Sequence, residues 1–155
     1  MKLKFPHLVV LVLYLFTFTL NAQSNDQRQP LPLANYDQNV NAPLTSSERL
    51  KLEEVYGNKL QSYVLSQPER LKAIKNILRN RVQILEFANS KDQKQCTLLS
   101  EVSLFDYYVN DLQRDQQFNK HTFNPLKYNF DFYSRGSHLY RVDNTSYYIL
   151  IKSQH

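Results

Sequence analysis

The residues of this 155-residue chain that could take part in acid–base or nucleophilic chemistry are few and far apart. His121 and His138 are the candidate bases, and a small secreted enzyme of the hydrolase type would use one of them with an acidic partner. No nucleophile-elbow sequence accompanies either histidine. Asp111 and Asp115 have the i, i+4 spacing of a solvated helix face. We therefore expect no catalytic constellation, and an enzyme is the alternative function.

The residue types also give no indication of a metal site or a cofactor. The lone Cys96 cannot form an internal disulfide, and the histidines do not have the spacing of zinc ligands. Gly57 and Gly136 are too far apart to belong to one nucleotide-binding loop. The sequence therefore predicts no metal and no cofactor.

Residues 1–22 have the composition of a secretory signal peptide. Lys2 and Lys4 precede a short apolar run that ends at Leu20, and small Ala22 stands before Gln23. The run is about 13 residues long, or about 20 Å as a helix, which is shorter than the roughly 30 Å hydrocarbon core. We expect cleavage after residue 22, export to the periplasm or the medium, and no stable membrane insertion afterwards. An uncleaved anchor is the alternative.

Residues 23–44 are rich in Gln, Asn and Pro, without a periodic apolar pattern. This composition predicts a flexible tether. Without the leader, 17 Lys and Arg stand against 14 Asp and Glu, which leaves a net charge of +3. That charge is too small to indicate nucleic-acid binding.

Two amphipathic helices are predicted after the tether. Thr45 and Glu48 have the spacing of a capping box, and apolar residues follow at helical spacing. A second apolar stripe begins after Pro68, which suits the first turn of a helix. The helices at 46–65 and 68–88 would form an antiparallel hairpin.

Short strands are predicted over the rest of the chain, because apolar and polar residues alternate there. Their ranges are 97–104, 127–134, 137–142 and 146–152, the last three forming a C-terminal β-meander. The predicted fold is a single α+β domain over residues 45–152, with the helical hairpin packed on a small antiparallel sheet. The side facing the helices would carry Phe130, Phe132, Tyr140, Ile149 and Ile151.

Tyr133 and Tyr148 lie on the opposite side of the predicted strands. Either another segment covers this side, chiefly residues 105–118, or these rings form an exposed aromatic patch. An exposed patch would be a candidate surface for a partner.

A second candidate surface is basic. Lys72, Lys75 and Arg79 share one helix face, at i, i+3 and i+7. Such a face is either solvated or a docking strip for an anionic partner. We therefore predict a non-catalytic exported interaction module, with an envelope protein or an anionic surface polymer as its partner.

Two stretches near the C-terminus carry a resemblance to known proteins. The segments "FNPLKYNFDFYS" and "YRVDNTSYYILI", together with the leader ending "LNAQ", resemble a family of small exported proteins of Bacteroidota type. The resemblance covers about residues 98–152. It implies export and a compact C-terminal domain, and it brings no activity.

Overall fold

The structure is a computed structural model that describes residues 36–89 and 93–154. The described residues all belong to one compact unit. The predicted signal peptide, the first part of the predicted tether and His155 lie outside the described residues. In the described part, none of the helices has the length and apolarity that crossing a bilayer requires.

Helix α1, Ser46–Tyr56, begins at the predicted capping box. The Thr45 Oγ1 accepts from the Glu48 amide at 3.2 Å, and the Glu48 carboxylate accepts from the Thr45 amide at 2.8 Å. The helix ends where Gly57 takes φ 48°, a value that favours glycine. A 3₁₀ turn, Gly57–Lys59, and a π-helical turn, Gln61–Leu65, continue the chain to the end of the predicted helix.

Helix α2, Pro68–Asn76, continues as a π-helical turn, Ile77–Arg81, and is shorter than the predicted helix 68–88. The next residues form strand β1, Val82–Glu86. The helical assignment of this segment is wrong because Val82 and Leu85 fit the helical stripe as well as they fit a strand. A short apolar run cannot be assigned from periodicity alone. Here the antiparallel pairing with residues 147–151 decides that the segment is a strand.

The sheet has three antiparallel strands in the order β1-β3-β2. Strands β2, His138–Arg141, and β3, Tyr147–Ile151, form the predicted hairpin. Asn144 takes φ 55° in the turn between them, as Asn tolerates. The α+β class is confirmed, with the difference that β1 comes from before residue 97 and makes β3 the central strand.

Two of the predicted strands do not form. Residues 97–104 contain the 3₁₀ turn Leu99–Glu101, and residues 127–134 follow the 3₁₀ turn Pro125–Lys127. Each region keeps an isolated bridge, at Leu98 and at Tyr128. Their alternating apolar residues serve the core without a continuous ladder of backbone hydrogen bonds.

Buried polar side chains support this irregular segment. Asn124 donates to the Lys51 carbonyl at 2.8 Å and to the Glu54 carboxylate at 2.9 Å. Lys127 pairs with Glu54 at 2.9 Å and with Asp115 at 2.7 Å. These bonds satisfy groups that would otherwise be costly to bury.

The core lies between the helices and the sheet. An aromatic series runs through it, with Phe130 and Tyr140 rings at 4.7 Å and Phe130 and Phe132 rings at 5.8 Å. The predicted assignment of helix-facing residues is confirmed, because all five are buried. Leu52, Val55, Ile74 and Ile77 cover them from the helices.

Residues 36–44, from the second half of the predicted tether, are ordered against α2. Val40 is buried, in the 3₁₀ turn Gln38–Asn41. Lys75 Nζ donates to the Val40 carbonyl at 3.2 Å and to the Ala42 carbonyl at 2.8 Å. We call residues 36–44 the strap. The composition argument fails for the strap because long cationic side chains of α2 bind its backbone carbonyls.

Candidate functional site

Tyr148, one of the two candidate binding residues on the second face of the sheet, is not accessible to a partner, since its ring is fully buried. Its hydroxyl accepts from the Lys94 amide at 3.1 Å and donates to the Lys94 carbonyl at 3.2 Å. The Phe87 ring packs edge-on at 5.0 Å, and the Arg141 guanidinium lies 5.8 Å from the ring centre. The second face of the sheet is thus covered here by residues other than the expected 105–118.

The basic face of Lys72, Lys75 and Arg79 does not form a row of free cations. Lys75 is buried and holds the strap, and burial followed by the nearby Arg79 charge lowers the pKa of its ammonium. Arg79 forms a bidentate pair with Glu48 and donates to the Pro43 carbonyl at 2.8 Å. Lys72 is exposed and pairs with Glu69 at 3.1 Å. Two of the three cations are therefore engaged inside the fold.

Tyr133 is the predicted binding residue that the structure leaves open, with 78% of its surface exposed. It borders a cleft of about 240 Å³ whose rim also carries Tyr56 and Phe105. The floor is apolar and is formed by Ile74, Ile77, Leu126, Tyr128, Phe130 and Phe132. We call this cavity the aromatic cleft. Its volume falls below the roughly 300–1,000 Å³ of drug-sized ligand sites, and suits a single bulky side chain.

Three further tyrosines form a cluster with Tyr56 at the rim of the cleft. The Tyr56 and Tyr108 rings are 5.1 Å apart, and Tyr63 lies 5.0 Å from Tyr108. Tyr107 packs edge-on against Tyr108 at 4.8 Å and is 76% exposed. We call Tyr56, Tyr63, Tyr107, Tyr108 and Tyr133 the tyrosine patch. Each ring contact contributes about 0.5–1.5 kcal/mol, so the rings of Tyr56, Tyr63, Tyr107 and Tyr108 hold one another in place.

Gly57 allows the loop that carries Tyr107 and Tyr108 to approach α1. A Cβ atom on Gly57 would lie 3.2 Å from the Val109 Cγ2. The positive φ of Gly57 also turns the chain so that Tyr56 and Tyr63 both face Tyr108. Gly57 therefore positions Tyr56, Tyr63 and Tyr108 in the patch.

The electrostatics of the patch follow from its partial desolvation. Burial, with the neighbouring Tyr133 and Tyr108 phenols, raises the pKa of Tyr56 to about 12 against the opposing effect of Arg70. Arg70 is exposed and donates to the Tyr63 carbonyl at 2.8 Å. Tyr56 therefore keeps a neutral hydroxyl at neutral pH, and the Arg70 cation lies beside the patch.

The sequence arguments missed four of the five tyrosines. Tyr56 and Tyr63 fall within the predicted helix 46–65, and Tyr108 falls within residues 105–118, which were considered only as a cover for the sheet. Residues 105–118 instead contain a loop with no regular element. The sequence feature that could have indicated the patch is the adjacent pair Tyr107 and Tyr108 within a polar stretch. Two adjacent aromatic rings do not make a solvated loop more soluble.

Of the two candidate bases, His138 has polar side chains close to both nitrogens of its ring. Its Nε2 lies 2.5 Å from the Ser134 Oγ, and its Nδ1 lies 3.7 Å from the Asp131 Oδ2. The second distance exceeds a hydrogen bond. The same Asp131 oxygen accepts from the Tyr140 hydroxyl at 2.9 Å, and Ser134 Oγ accepts from the Gly136 amide at 3.0 Å. These contacts between side chains stabilise the turn that precedes β2.

His121 lies in an exposed turn, where its backbone amide donates to the Asn119 side chain at 2.9 Å. No ion pair in the described part of the chain involves the His121 ring. Cys96 is a partly exposed free thiol, and burial raises its pKa, which disfavours the reactive thiolate. Of the candidate groups, the tyrosine patch thus has the clearest accessible chemistry, which is the binding of apolar and hydrogen-bonding groups.

Comparisons with known proteins do not assign this chain to a family. The resemblance to a Bacteroidota family therefore stays a prediction. The chain matches no protein-family model, and it has no significant match among curated proteins or among solved structures.

Proposed function

We propose that this chain is an exported, non-catalytic interaction module that binds an envelope protein through the tyrosine patch. The observation that carries the proposal is the exposure of Tyr133 at the rim of the aromatic cleft and of Tyr107, which packs on Tyr108 next to that rim. Tyrosine is enriched among residues that dominate binding energy at protein interfaces. Its two side-chain torsions make it inexpensive to immobilise, and a ring already held by neighbours loses still less freedom.

A protein partner fits the patch better than an anionic polymer does. Binding to an anionic polymer depends on a row of free cations, and Lys75 and Arg79 are occupied within the fold. The cleft would take one apolar side chain of the partner, while the tyrosine hydroxyls donate and accept hydrogen bonds at its rim. Arg70 would pair with an acidic group of the partner.

The test compares capture of envelope proteins by three forms of the chain. Tyr107→Ser and Tyr133→Ser, combined, remove the two most exposed rings of the patch. Leu50→Ser is the matched control, since Leu50 is 65% exposed and lies on α1 outside the patch. We expect one or more envelope proteins to be captured by the unaltered chain and the control, and lost from the double variant.

The patch proposal fails if the double variant captures the same proteins in the same amount. Thermal unfolding of all three forms is the companion measurement. Exposed side chains contribute little to stability, so the three midpoints should agree within a few degrees.

Export is a separate part of the proposal and has its own measurement. The short apolar run and Ala22 motivate cleavage before Gln23. N-terminal mass analysis of protein recovered outside the cytoplasm should find Gln23, or its cyclised form, as the first residue. Recovery of intact Met1 in the membrane fraction would support the anchor alternative.

A second candidate function, hydrolysis, is favoured by the short contact between His138 Nε2 and Ser134 Oγ. In this alternative Ser134 is the nucleophile, His138 the general base and Asp131 the acidic partner. The three cavities described for this chain near residues 48, 56 and 100 are not lined by Ser134 or His138.

Labelling with a fluorophosphonate probe separates the two functions. A hydrolase would be labelled at Ser134, and His138→Ala would abolish the labelling. The interaction module predicts no labelling above that of a Ser134→Ala variant.

A further inference from the structure

A second cavity lies on another part of the surface, between residues 114–118 and the turn from β2 to β3. Its volume is about 650 Å³, within the roughly 300–1,000 Å³ typical of sites for small ligands. Apart from the buried Tyr128, which borders both cavities, it shares no lining residue with the aromatic cleft. We call this cavity the polar groove.

One side of the polar groove is an aromatic platform. The Phe118 and Tyr147 rings are half-buried, and their centres are 5.5 Å apart. The buried Phe123 supports Phe118 from behind, at 5.2 Å. The two rings therefore have fixed positions and retain exposed surface that faces the groove.

The walls of the groove are tied together before any ligand binds. Both oxygens of Asp143 accept from Ser100, one from its amide at 3.0 Å and one from its hydroxyl at 2.5 Å. On the other side, Arg114 donates to the Leu99 carbonyl at 2.8 Å and to the Val102 carbonyl. A site whose walls are already linked loses little conformational freedom when it binds.

Several polar groups remain available to a ligand. The side chains of Gln116, Gln117 and Asn144 line the groove and form no hydrogen bond with other described residues. Each of these amides can both donate and accept. The carboxylates of Asp115 and Asp143 keep free lone pairs for further donors. Arg114 is occupied by backbone carbonyls, and the Lys120 ammonium lies over the Tyr147 ring, 5.7 Å from its centre.

From these contacts we infer that the polar groove binds a neutral saccharide. A sugar ring has one face of C–H groups, which packs on an aromatic ring, and a rim of hydroxyls that both donate and accept. The Phe118 and Tyr147 platform meets the first requirement. The amides and carboxylates of the walls meet the second, and the two carboxylates disfavour acidic sugars. This site is independent of the tyrosine patch and of the proposed function.

The test is isothermal titration calorimetry of the purified protein with defined oligosaccharides. The neutral probes are cellohexaose, maltohexaose and the hexamer of N-acetylglucosamine, and hexagalacturonate is the acidic comparison. We expect saturable binding of at least one neutral probe, and weaker or undetectable binding of hexagalacturonate.

Two variants locate the binding to the groove. Phe118→Leu keeps the bulk that packs on Phe123 and removes the ring face, which should raise Kd about tenfold. Gln117→Ala removes an exposed amide, should fold normally and should also raise Kd. Gln83→Ala, at an exposed position of β1, is the matched control and should leave Kd unchanged.

Three results would overturn the inference. They are no binding of any neutral probe, tighter binding of hexagalacturonate than of the neutral probes, and an unchanged Kd in both groove variants. If Phe118→Leu does not fold, Gln117→Ala decides between the remaining outcomes.

Discussion

The ion pair between Glu48 and Arg79 should be a main electrostatic support of the fold, and Glu48→Gln tests it. The pair is bidentate, with Nε to Oε1 at 2.6 Å and Nη2 to Oε2 at 2.7 Å, and each side chain is 13% exposed. Glutamine can take over the capping-box contact with Thr45, because its amide oxygen accepts from the same N–H. The substitution therefore removes the charge and preserves the cap.

The magnitude follows from the pKa of Glu48. The hydrogen bond from Arg79, with smaller contributions from the Thr45 hydrogen bonds and the Arg79 charge, lowers it from 4.5 to about 2, against the effect of burial. Since one pKa unit corresponds to about 1.4 kcal/mol, the ceiling is about 3.4 kcal/mol. The side chains keep some contact with water, which screens the pair, so we expect Glu48→Gln to lower the free energy of unfolding by about 2 kcal/mol.

The pH dependence gives a second measurement on the same variant. A carboxylate whose pKa is lowered by folding contributes its stability above its unfolded pKa, and this contribution is lost as the pH falls towards its folded pKa. The difference between the unaltered chain and Glu48→Gln should be full at pH 6 and should shrink between about pH 5 and pH 2. Urea unfolding at several pH values measures it. A difference below about 0.5 kcal/mol at pH 6, or one that does not change with pH, would refute the reasoning.

Three further predictions concern burial, backbone and the strap. Tyr148→Ser should cost about 3–5 kcal/mol in chemical denaturation, as much as Phe132→Ala, and a loss below 1 kcal/mol would mean that this side of the sheet is open. Gly57→Ala should cost about 1–2 kcal/mol because φ is 48° and Val109 is close, and an unchanged unfolding midpoint would contradict that account. A chain that begins at Leu44 should lose about 2–4 kcal/mol, because Lys75 and Arg79 lose the strap carbonyls that they bind. Equal stability of the two chains in urea would show that the strap does not support the domain.

The features that sequence reasoning predicted are those set by local chemistry. The capping box at Thr45 and Glu48 depends on residues three apart, and the β2–β3 hairpin depends on alternation and on an Asn-containing turn. Both are decided within a few residues of chain. The partner of a strand is not, and so Val82–Glu86 was assigned to a helix until its pairing with β3 was known.

The buried cations could not be predicted for a different reason. Lys75, Arg81 and Lys127 have the residue types of solvated positions, and each is buried because distant carbonyls or carboxylates satisfy it. Arg81 donates to the Lys152 carbonyl at 3.0 Å, across 71 residues. Since such contacts are not local in sequence, the sequence leaves the basic helix face as either solvated or a docking strip, and neither alternative describes Lys75 and Arg79.

The tyrosine patch was predictable from local sequence in one residue and depends on distant contacts in the others. Tyr133 was selected because it falls on the outer parity of a predicted strand; the strand does not form, but the ring is exposed. The turn at Gly57 brings Tyr56 and Tyr63 together against Tyr108, which lies far from them in the chain. A sequence can indicate that rings are plentiful, and the tertiary contacts decide which of them meet.

Site-specific photocrosslinking in the native host tests the patch most directly. A photoreactive phenylalanine analogue would replace Tyr133 in one strain and Leu50 in another, because both positions are exposed and only Tyr133 belongs to the patch. The proposal predicts a discrete covalent adduct with an envelope protein from position 133, and none from position 50. Irradiation that gives no adduct at position 133, or the same adduct from both positions, would contradict it.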